Sequence, residues 1–581
     1  MTKRKQPDFS GWQKQLLAEL RTLAQQRPAD IRVLSQPKRE SDGTAAVRIK
    51  LHTADIDWKP GGLVLENAEK FVLRIKSHPL IPPEVEVEHI RFLGFPHVLQ
   101  GQRLCIYLDP SREWYPSGGL AGLLNRLWGW LNDAAAGRFD ASTAMYHAVG
   151  GVLHRTGGTP TIVVREVGPI RRHQTACLIA RSPCRYDLTY TFRSQGHHTP
   201  VFTLAGDLPF GATSSFASLL SLMDDPYLDQ PRGRPPRVLP QSPAFITMLA
   251  TKARKNSEEE QYFILAVPHP TAGPSHLLGG RLPGSTVDAL LSTVQKRGPR
   301  ITLDPTKIDD NLQIEWCNVS DERQEVTTRR DNNRPVNGYQ GKSVHVWGCG
   351  GLGSWVAEFI ARAGASHITL CDPGDITGGL LVRQNYVEAD IGHSKADALA
   401  IRLRAIRDDL TVTVARGALP EDSSDFMVAD LIIDATVSNS ITQYLDSFAA
   451  QFGRKALIAQ VATDARSGTL GILHLCSPEL QLGLSEIDYK AGLTIISDGE
   501  LELYHGLWQE SLDEHELIPT RGCSVPTFHG SAADLAAVAA TLVSLLGAHL
   551  RPTATALSGT HLIALPHADS GPRHHFHPAR R

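Results

Sequence analysis

Six residues, Gly348-Cys349-Gly350-Gly351-Leu352-Gly353, constrain this 581-residue chain more than any other stretch. They follow a short apolar run, Ser343 to Trp347, and precede a helical pattern from Ser354 to Ala363. Glycines at this spacing let the backbone turn sharply and approach a bound group closely. The helix start that follows offers free N–H groups and a positive dipole end. Strand, glycine turn and helix in that order imply a parallel sheet with ligands at the carboxyl ends of its strands. The alternation continues. His367 to Cys371 reads as a strand ending at Asp372, Lys395 to Ile406 as a helix, Thr411 to Val414 as a strand, and Leu431 to Ile433 as a buried strand ending at Asp434.

Alone, the turn suits a nicotinamide dinucleotide as well as a triphosphate. No Lys-Ser/Thr pair closes it, so it is not a P-loop. Asp372, 19 residues past Gly353, can accept hydrogen bonds from ribose. Arg383-Gln384, Asp390 to Lys395 and Asp434-Ala435-Thr436 then follow. A dinucleotide has no use for Arg383, Lys395 and Asp434. A triphosphate does: Arg383 and Lys395 can neutralise the charge of departing pyrophosphate, and Asp434 can hold magnesium. ATP and Mg2+ are therefore the expected cofactors. The expected contacts are Gly348, Gly350, Gly351, Gly353, Asp372, Arg383, Gln384, Lys395 and Asp434, with Asp434 on the metal.

With these motifs in place, residues from about 340 to 550 resemble the adenylation domain of the ubiquitin-activating, ThiF/MoeB-type family. That family carries a GxGGxG turn, an Asp, an Arg-Gln, a D-I-G-x-x-K and a D-A-T/S, and all five stand here. An Asn usual three residues before the Arg is Leu380 in this chain. The family often adds an upstream Arg, for which Arg329, Arg330 and Arg334 are candidates, and a CxxC zinc clip, which is absent.

Eight cysteines run from Cys105 to Cys523 with no CxxC pair, which argues against a zinc clip or a disulfide framework and for a cytoplasmic setting. Cys523 lies among Gly522, Ser524, Pro526 and Thr527 just before an Ala-rich helix, a setting that favours a reactive thiolate. The resemblance gives such a downstream cysteine the attack on an acyl-adenylate. Cys349, Cys371 and Cys476 read as packing residues. In the N-terminal quarter, His78-Pro79-Leu80-Ile81-Pro82-Pro83 and Phe95-Pro96-His97-Val98 precede Gly101-Gln102-Arg103-Leu104-Cys105. Trp114-Tyr115-Pro116 and a Leu-rich helix follow. Residues from about 9 to 140 thus resemble the ubiquitin-conjugating enzymes. The resemblance implies that Cys105 carries a thioester and that His97 replaces the family's Asn as hydrogen-bond donor to the oxyanion. One extra residue precedes Cys105.

Between these regions no catalytic constellation is visible. Thr161 to Val164, Leu188 to Phe192 and Tyr262 to Val267 read as strands. Phe216 to Met223 and Thr286 to Gln295 read as helices, Pro226 to Pro243 as a Pro-rich loop, and Asn318 to Gly341 as a linker. The net charge of about −2 argues against a strong grip on nucleic acid or an anionic membrane. No apolar core follows the basic start Met1 to Lys5, so no secretory signal is read, and the apolar run Leu535 to Ala548 reads as a buried helix.

The fold class expected is an α+β conjugating-enzyme-like domain over 1–145, a mixed α/β docking domain over 146–317, and a Rossmann-like α/β adenylation domain with a parallel-rich sheet over 318–581. The expected reaction adenylates a C-terminal glycine, passes the acyl group from Cys523 to Cys105, and ligates it to a lysine. The domain order resembles the fusion proteins of antiphage CBASS operons. That implies a cGAS/DncV-like nucleotidyltransferase as the activated partner, a lysine-bearing acceptor protein, and a homodimer. Three alternatives stay open: activation of a ubiquitin-like or sulfur-carrier protein, a nicotinamide-dependent oxidoreductase, and an inactive scaffold.

Overall fold

The computed structural model describes the chain except residues 1–8, 90, 93–94, 96, 100–102, 108, 140–155, 169–172, 192–195, 206–214, 225–240, 254–259, 269–273, 293, 298–299, 304–308, 310, 324–325, 327–330, 416, 418–427, 437, 451–453, 481, 509–529, 552–556 and 580–581. It divides into two compact units, Met1–Thr328 and Arg329–Arg581.

The first unit opens with helix Gly11–Gln26. Ser10 caps it, accepting from the Gln13 backbone N–H while the Gln13 side chain returns the bond. Antiparallel strands Ile31–Val33, Ala45–His52, Ala68–Ile75 and Glu84–Val87 follow as neighbours, the short pair Val98–Leu99 and Arg103–Leu104 extends the sheet, and Lys38–Arg39 pairs with Ala45–His52. Ala45, Val47, Ile49 and Leu51 alternate inward along the second strand, as a half-buried sheet requires. Leu120, Leu123, Leu127 and Leu131 present one buried face of helix Gly119–Ala135 to the same core.

The rest of this unit contains a closed seven-stranded barrel. Here the structure corrects three readings. The linker expected from Asn318 begins inside strand Glu315–Asp321, whose Asn318 to Asp321 pair in parallel with Thr161 to Val164. Closing a barrel demands that strand, and its polar residues stay half-buried at the surface. The helix expected over Thr286 to Gln295 spans Gly284–Ser292. Strand Val294–Arg297 then pairs antiparallel with Arg300–Leu303. Pro243 lies in the first turn of helix Ser242–Ala253, where a missing N–H costs no helical bond.

The second unit is built on an eight-stranded sheet. Thr411–Ala415, His367–Cys371, Ser343–Trp347, Leu431–Asp434 and Leu457–Thr463 run parallel in that spatial order. Leu470–Cys476, Gly559–Ala564 and His574–Pro578 extend the sheet antiparallel. The strand order reverses at Ser343–Trp347, so the crevice for a ligand lies where this strand ends, between Asp372 and Asp434. Helix Ala532–His549 is long and apolar enough to cross a membrane, but its Leu535, Val538, Leu542 and Leu546 are buried in the core of this unit. Tyr339 Oη donates to the Val543 carbonyl at 2.9 Å and fixes that packing.

Candidate functional site

The glycine turn takes its shape from two close approaches. Gly348 has φ +86°, where a side chain would be strained. A Cβ on Gly353 would stand 1.8 Å from the Gly348 carbonyl oxygen, so the first helical turn can close only over glycine. Gly350 differs: its nearest neighbour would be Gln384 Nε2 at 4.0 Å, which leaves the middle of the turn open to a ligand. Gly351 lies in the same turn, half-buried. The turn is also hooked from outside. Tyr386 Oη donates to the Cys349 carbonyl at 2.7 Å, and Ser354 Oγ donates to the Gly350 carbonyl at 2.7 Å. Neither hydroxyl is distinguished in the sequence from any other Tyr or Ser.

Asp372 is buried at the end of its strand. Its oxygens accept from the Cys349 N–H and the Gly374 N–H, each at 2.7 Å, so it ties the glycine turn to the neighbouring strand end. A Cβ on Gly374 would lie 3.0 Å from Asp372 Oδ1 and 3.2 Å from Lys395 Nζ, so both charged groups close on this glycine. Lys395 opens helix Lys395–Ile406 behind the Ser394 cap. Arg383 and Gln384 are buried in the adjoining loop, their N–H groups both donating to the Leu380 carbonyl. Burial lowers the Arg383 pKa from its ordinary value. The chain re-enters this region at Ala532, whose N–H donates to the Val382 carbonyl at 2.7 Å.

Asp434 is fully buried. Thr436 N–H and Oγ1 donate to Oδ1 at 2.9 and 2.6 Å, and Gln460 Nε2 donates to Oδ2 at 2.9 Å. Among the described residues no group of three His, Cys, Asp or Glu side chains could hold a metal ion. The cradle thus fits a nucleotide through its open turn and cationic flank. It offers a metal one carboxylate at most, already engaged by three donors. Arg334 stands exposed ahead of turn Pro335–Tyr339, with no hydrogen bond or ion pair to the glycine turn. Arg329 and Arg330 lie outside the described residues.

Cys349, Cys371 and Cys476 are buried, and burial raises all three thiols, Cys371 to about 12. They are packing residues. Cys523 lies outside the described residues. The last described residue but one before its segment, Leu507, and then Trp508 are anchored: Trp508 Nε1 donates to Asp488 Oδ1 at 2.8 Å, and His474 Nε2 meets the same oxygen at 3.1 Å.

In the first unit, Cys105 is half-buried and lines a cavity of about 320 Å³ together with His97, Asn125, Arg126, Trp130 and Phe139. Its N–H donates to the His97 carbonyl at 2.8 Å, so the His97 loop is bonded directly to the cysteine segment. His97 has φ +63°, the one non-glycine residue in this region of backbone space among the described residues. Its ring meets Phe139 at 4.7 Å. Arg126 bolts the cysteine segment to the following helix, with Nε donating to the Ile106 carbonyl at 2.9 Å, an ion pair to Glu113, and its guanidinium 5.8 Å from the Tyr107 ring. Trp114 Nε1 donates to the Pro79 carbonyl at 2.8 Å and joins the proline-rich loop to the same site. The Cys105 thiol is raised chiefly by burial, opposed by Arg103 and reinforced by Glu113. A neutral resting thiol is the consequence.

Residues 19–149 match the prokaryotic E2 family A, 192–322 the Cap2 central linker domain, and 339–561 the ThiF family. The chain is 36% identical over 96 residues to a tRNA threonylcarbamoyladenosine dehydratase of Haemophilus influenzae, covering 16% of this chain and 37% of that protein. It is 29% identical over 123 residues to the ATP-dependent ubiquitin transferase-like protein Cap2 of Enterobacter hormaechei, covering 20% of each. A molybdopterin-synthase adenylyltransferase of Salmonella typhimurium is 29% identical over 107 residues, 18% of this chain and 43% of that protein. The chain spans less than half the length of each of these relatives.

Proposed function

We propose that this chain, which joins a prokaryotic E2 family A segment, a Cap2 central linker domain and a ThiF-family segment in that order, activates the C-terminus of a protein with ATP and conjugates it to an amine. The observation that carries this reading is the open glycine cradle flanked by Lys395, Arg383 and Gln384 in the same chain as a cavity opening on Cys105. The polypeptide carboxylate attacks the α-phosphate of ATP and pyrophosphate leaves. Lys395 and Arg383 stabilise the growing phosphate charge, and the turn amides hold the phosphates. Magnesium bound with the triphosphate would add to the neutralisation of phosphate charge. Asp434 is the residue that would hold it.

Cys523 then takes the acyl group from the adenylate, releasing AMP. Cys105 takes it by transthiolation, with His97 as donor to the oxyanion, and an acceptor lysine amine displaces Cys105. The C-terminal anchor of the Cys523 segment supports the first transfer: Ala532 is bonded beside Arg383, nine residues from Cys523 in sequence. The activated partner is a protein ending in glycine, with a cGAS/DncV-like nucleotidyltransferase of an antiphage operon as the specific proposal. A homodimer in the cytoplasm completes it.

The test uses ATP-magnesium, candidate partners and non-reducing gels. Two thiol-sensitive adducts are expected, the first lost with Cys523→Ala and the second with Cys105→Ala. Adducts untouched by both changes would reassign the nucleophiles.

A further inference from the structure

Glu69 stands where the core calls for hydrocarbon. The inward positions of strand Ala68–Ile75 are Glu69, Phe71, Leu73 and Ile75, and all four are buried, Glu69 to 1% exposure. A carboxylate taken out of water is costly unless donors match its oxygens. Here they do. Glu69 Oε1 accepts from the Glu66 N–H at 2.8 Å. Glu69 Oε2 accepts from Arg91 Nη2 at 2.7 Å and meets His89 Nε2 at 2.9 Å. Both partners lie on the segment that leads to His97, and both close on Phe92. The His89 ring meets the Phe92 ring edge to face at 4.7 Å, and the Arg91 guanidinium is 5.7 Å from the Phe92 centroid. From the fully buried Phe92, ring contacts run on to His97: Phe92 to Trp130 at 6.4 Å, Trp130 to Phe139 at 5.5 Å, and Phe139 to His97 at 4.7 Å between centroids. The backbone follows the same course. Phe95 N–H donates to the Phe92 carbonyl at 3.1 Å, and Val98 N–H donates to the Phe95 carbonyl at 3.3 Å. His97 keeps φ +63°, a state that a non-glycine residue holds only where its surroundings impose it.

Resting on the reading of His97 as donor to the oxyanion, we propose that Glu69 is a positioning residue for transfer at Cys105, and that through Arg91, His89 and Phe92 it holds the His97 loop in its strained conformation. The carboxylate touches no reacting atom. It acts on the oxyanion through the placement of His97 alone, and a donor set in advance needs no rearrangement when the charge forms. Coupling of this kind shows itself when two substitutions fail to add.

The experiment uses the full-length chain carrying Cys184→Ser and Cys523→Ser. Cys105 is then the reactive thiol, because Cys177, Cys317, Cys349, Cys371 and Cys476 are buried. A synthetic glycine-terminated peptide mercaptoethanesulfonate thioester loads Cys105 to completion by exchange. Free lysine discharges it, followed by intact mass. Glu69→Gln removes the charge and Arg91→Met removes one of its partners. Each should slow discharge on the order of 10- to 100-fold, and Arg91→Lys should recover part of the rate. Arg91 is 36% exposed, so its variants carry the test if Glu69→Gln does not fold. Alkylation of Cys105 by iodoacetamide forms no oxyanion, and its rate should stay at the parent value in every variant. In a His97→Ala background, Arg91→Met should slow discharge no further. Equal slowing in both backgrounds overturns the proposal, as does discharge of Arg91→Met at the parent rate or a matching fall in alkylation. Discharge of the single variant His97→Ala at the parent rate overturns the donor reading itself, a distinct failure seen with Glu69 and Arg91 intact.

Discussion

Gly350 and Gly353 stand three residues apart in one turn and answer to different demands. Gly353 is required by the fold, because its Cβ would collide with the Gly348 carbonyl oxygen at 1.8 Å. Gly350 faces open space, so its missing side chain serves a ligand. Gly353→Ala should cost roughly 1–3 kcal/mol or more of stability, the range for forced overpacking, read as a lowered Tm. Gly350→Ala should keep its Tm and lose the upward shift in Tm that ATP confers on the parent. Cys105 yields a second residue-scale outcome. Its thiol is raised by burial, and only thiolate reacts. Alkylation by iodoacetamide at Cys105, followed by peptide mass spectrometry, should be slow at pH 7 and still climb above the ordinary thiol range near pH 8.5. A plateau below that pH would contradict the burial argument.

At the scale of elements, three imidazoles tie the end of helix Ala532–His549 to the last two strands. Leu557 N–H donates to His549 Nδ1 at 3.4 Å, so His549 Nε2 carries the proton that bridges to His561 Nε2 at 3.0 Å. His561 Nδ1 then donates to His574 Nε2 at 3.0 Å. Such a chain works only with neutral rings. Burial lowers all three pKa values, that of His561 to about 3, with the neighbouring histidines adding to the shift. The sign follows. Between about pH 3 and 6.5 the unfolded chain binds more protons than the folded one. The neutral chain's contribution is therefore fully present above pH 6.5 and is lost progressively as pH falls. Urea unfolding should show stability declining from pH 6.5 to 4, and His561→Phe should flatten that slope. An unchanged slope would remove the histidines from the account.

At the scale of the whole molecule, the hydrophobic clusters described over residues 339–579 are built from residues of the second unit itself. Residues 329–581 expressed alone should therefore fold and exchange pyrophosphate into ATP in the presence of the activated protein, yet form no amide conjugate without Cys105. Absence of exchange from this fragment would show that activation needs the first unit.

The linear chain determined the strand, glycine turn and helix around Gly348 to Gly353. It also determined the carboxylate at the end of each of the two strands that flank Ser343–Trp347, and the cysteine-bearing segment at Cys105, because these are local patterns of backbone freedom, periodicity and residue chemistry. The tertiary structure alone decided that Asn318 to Asp321 close a barrel, that Tyr386 and Ser354 hook the turn, that Asp434 is sealed by Thr436 and Gln460, and that Trp130 shares a chamber with Cys105. Most of these contacts join residues more than twenty positions apart, and a side chain's partner across such a gap is set by how whole elements pack rather than by its neighbours in sequence.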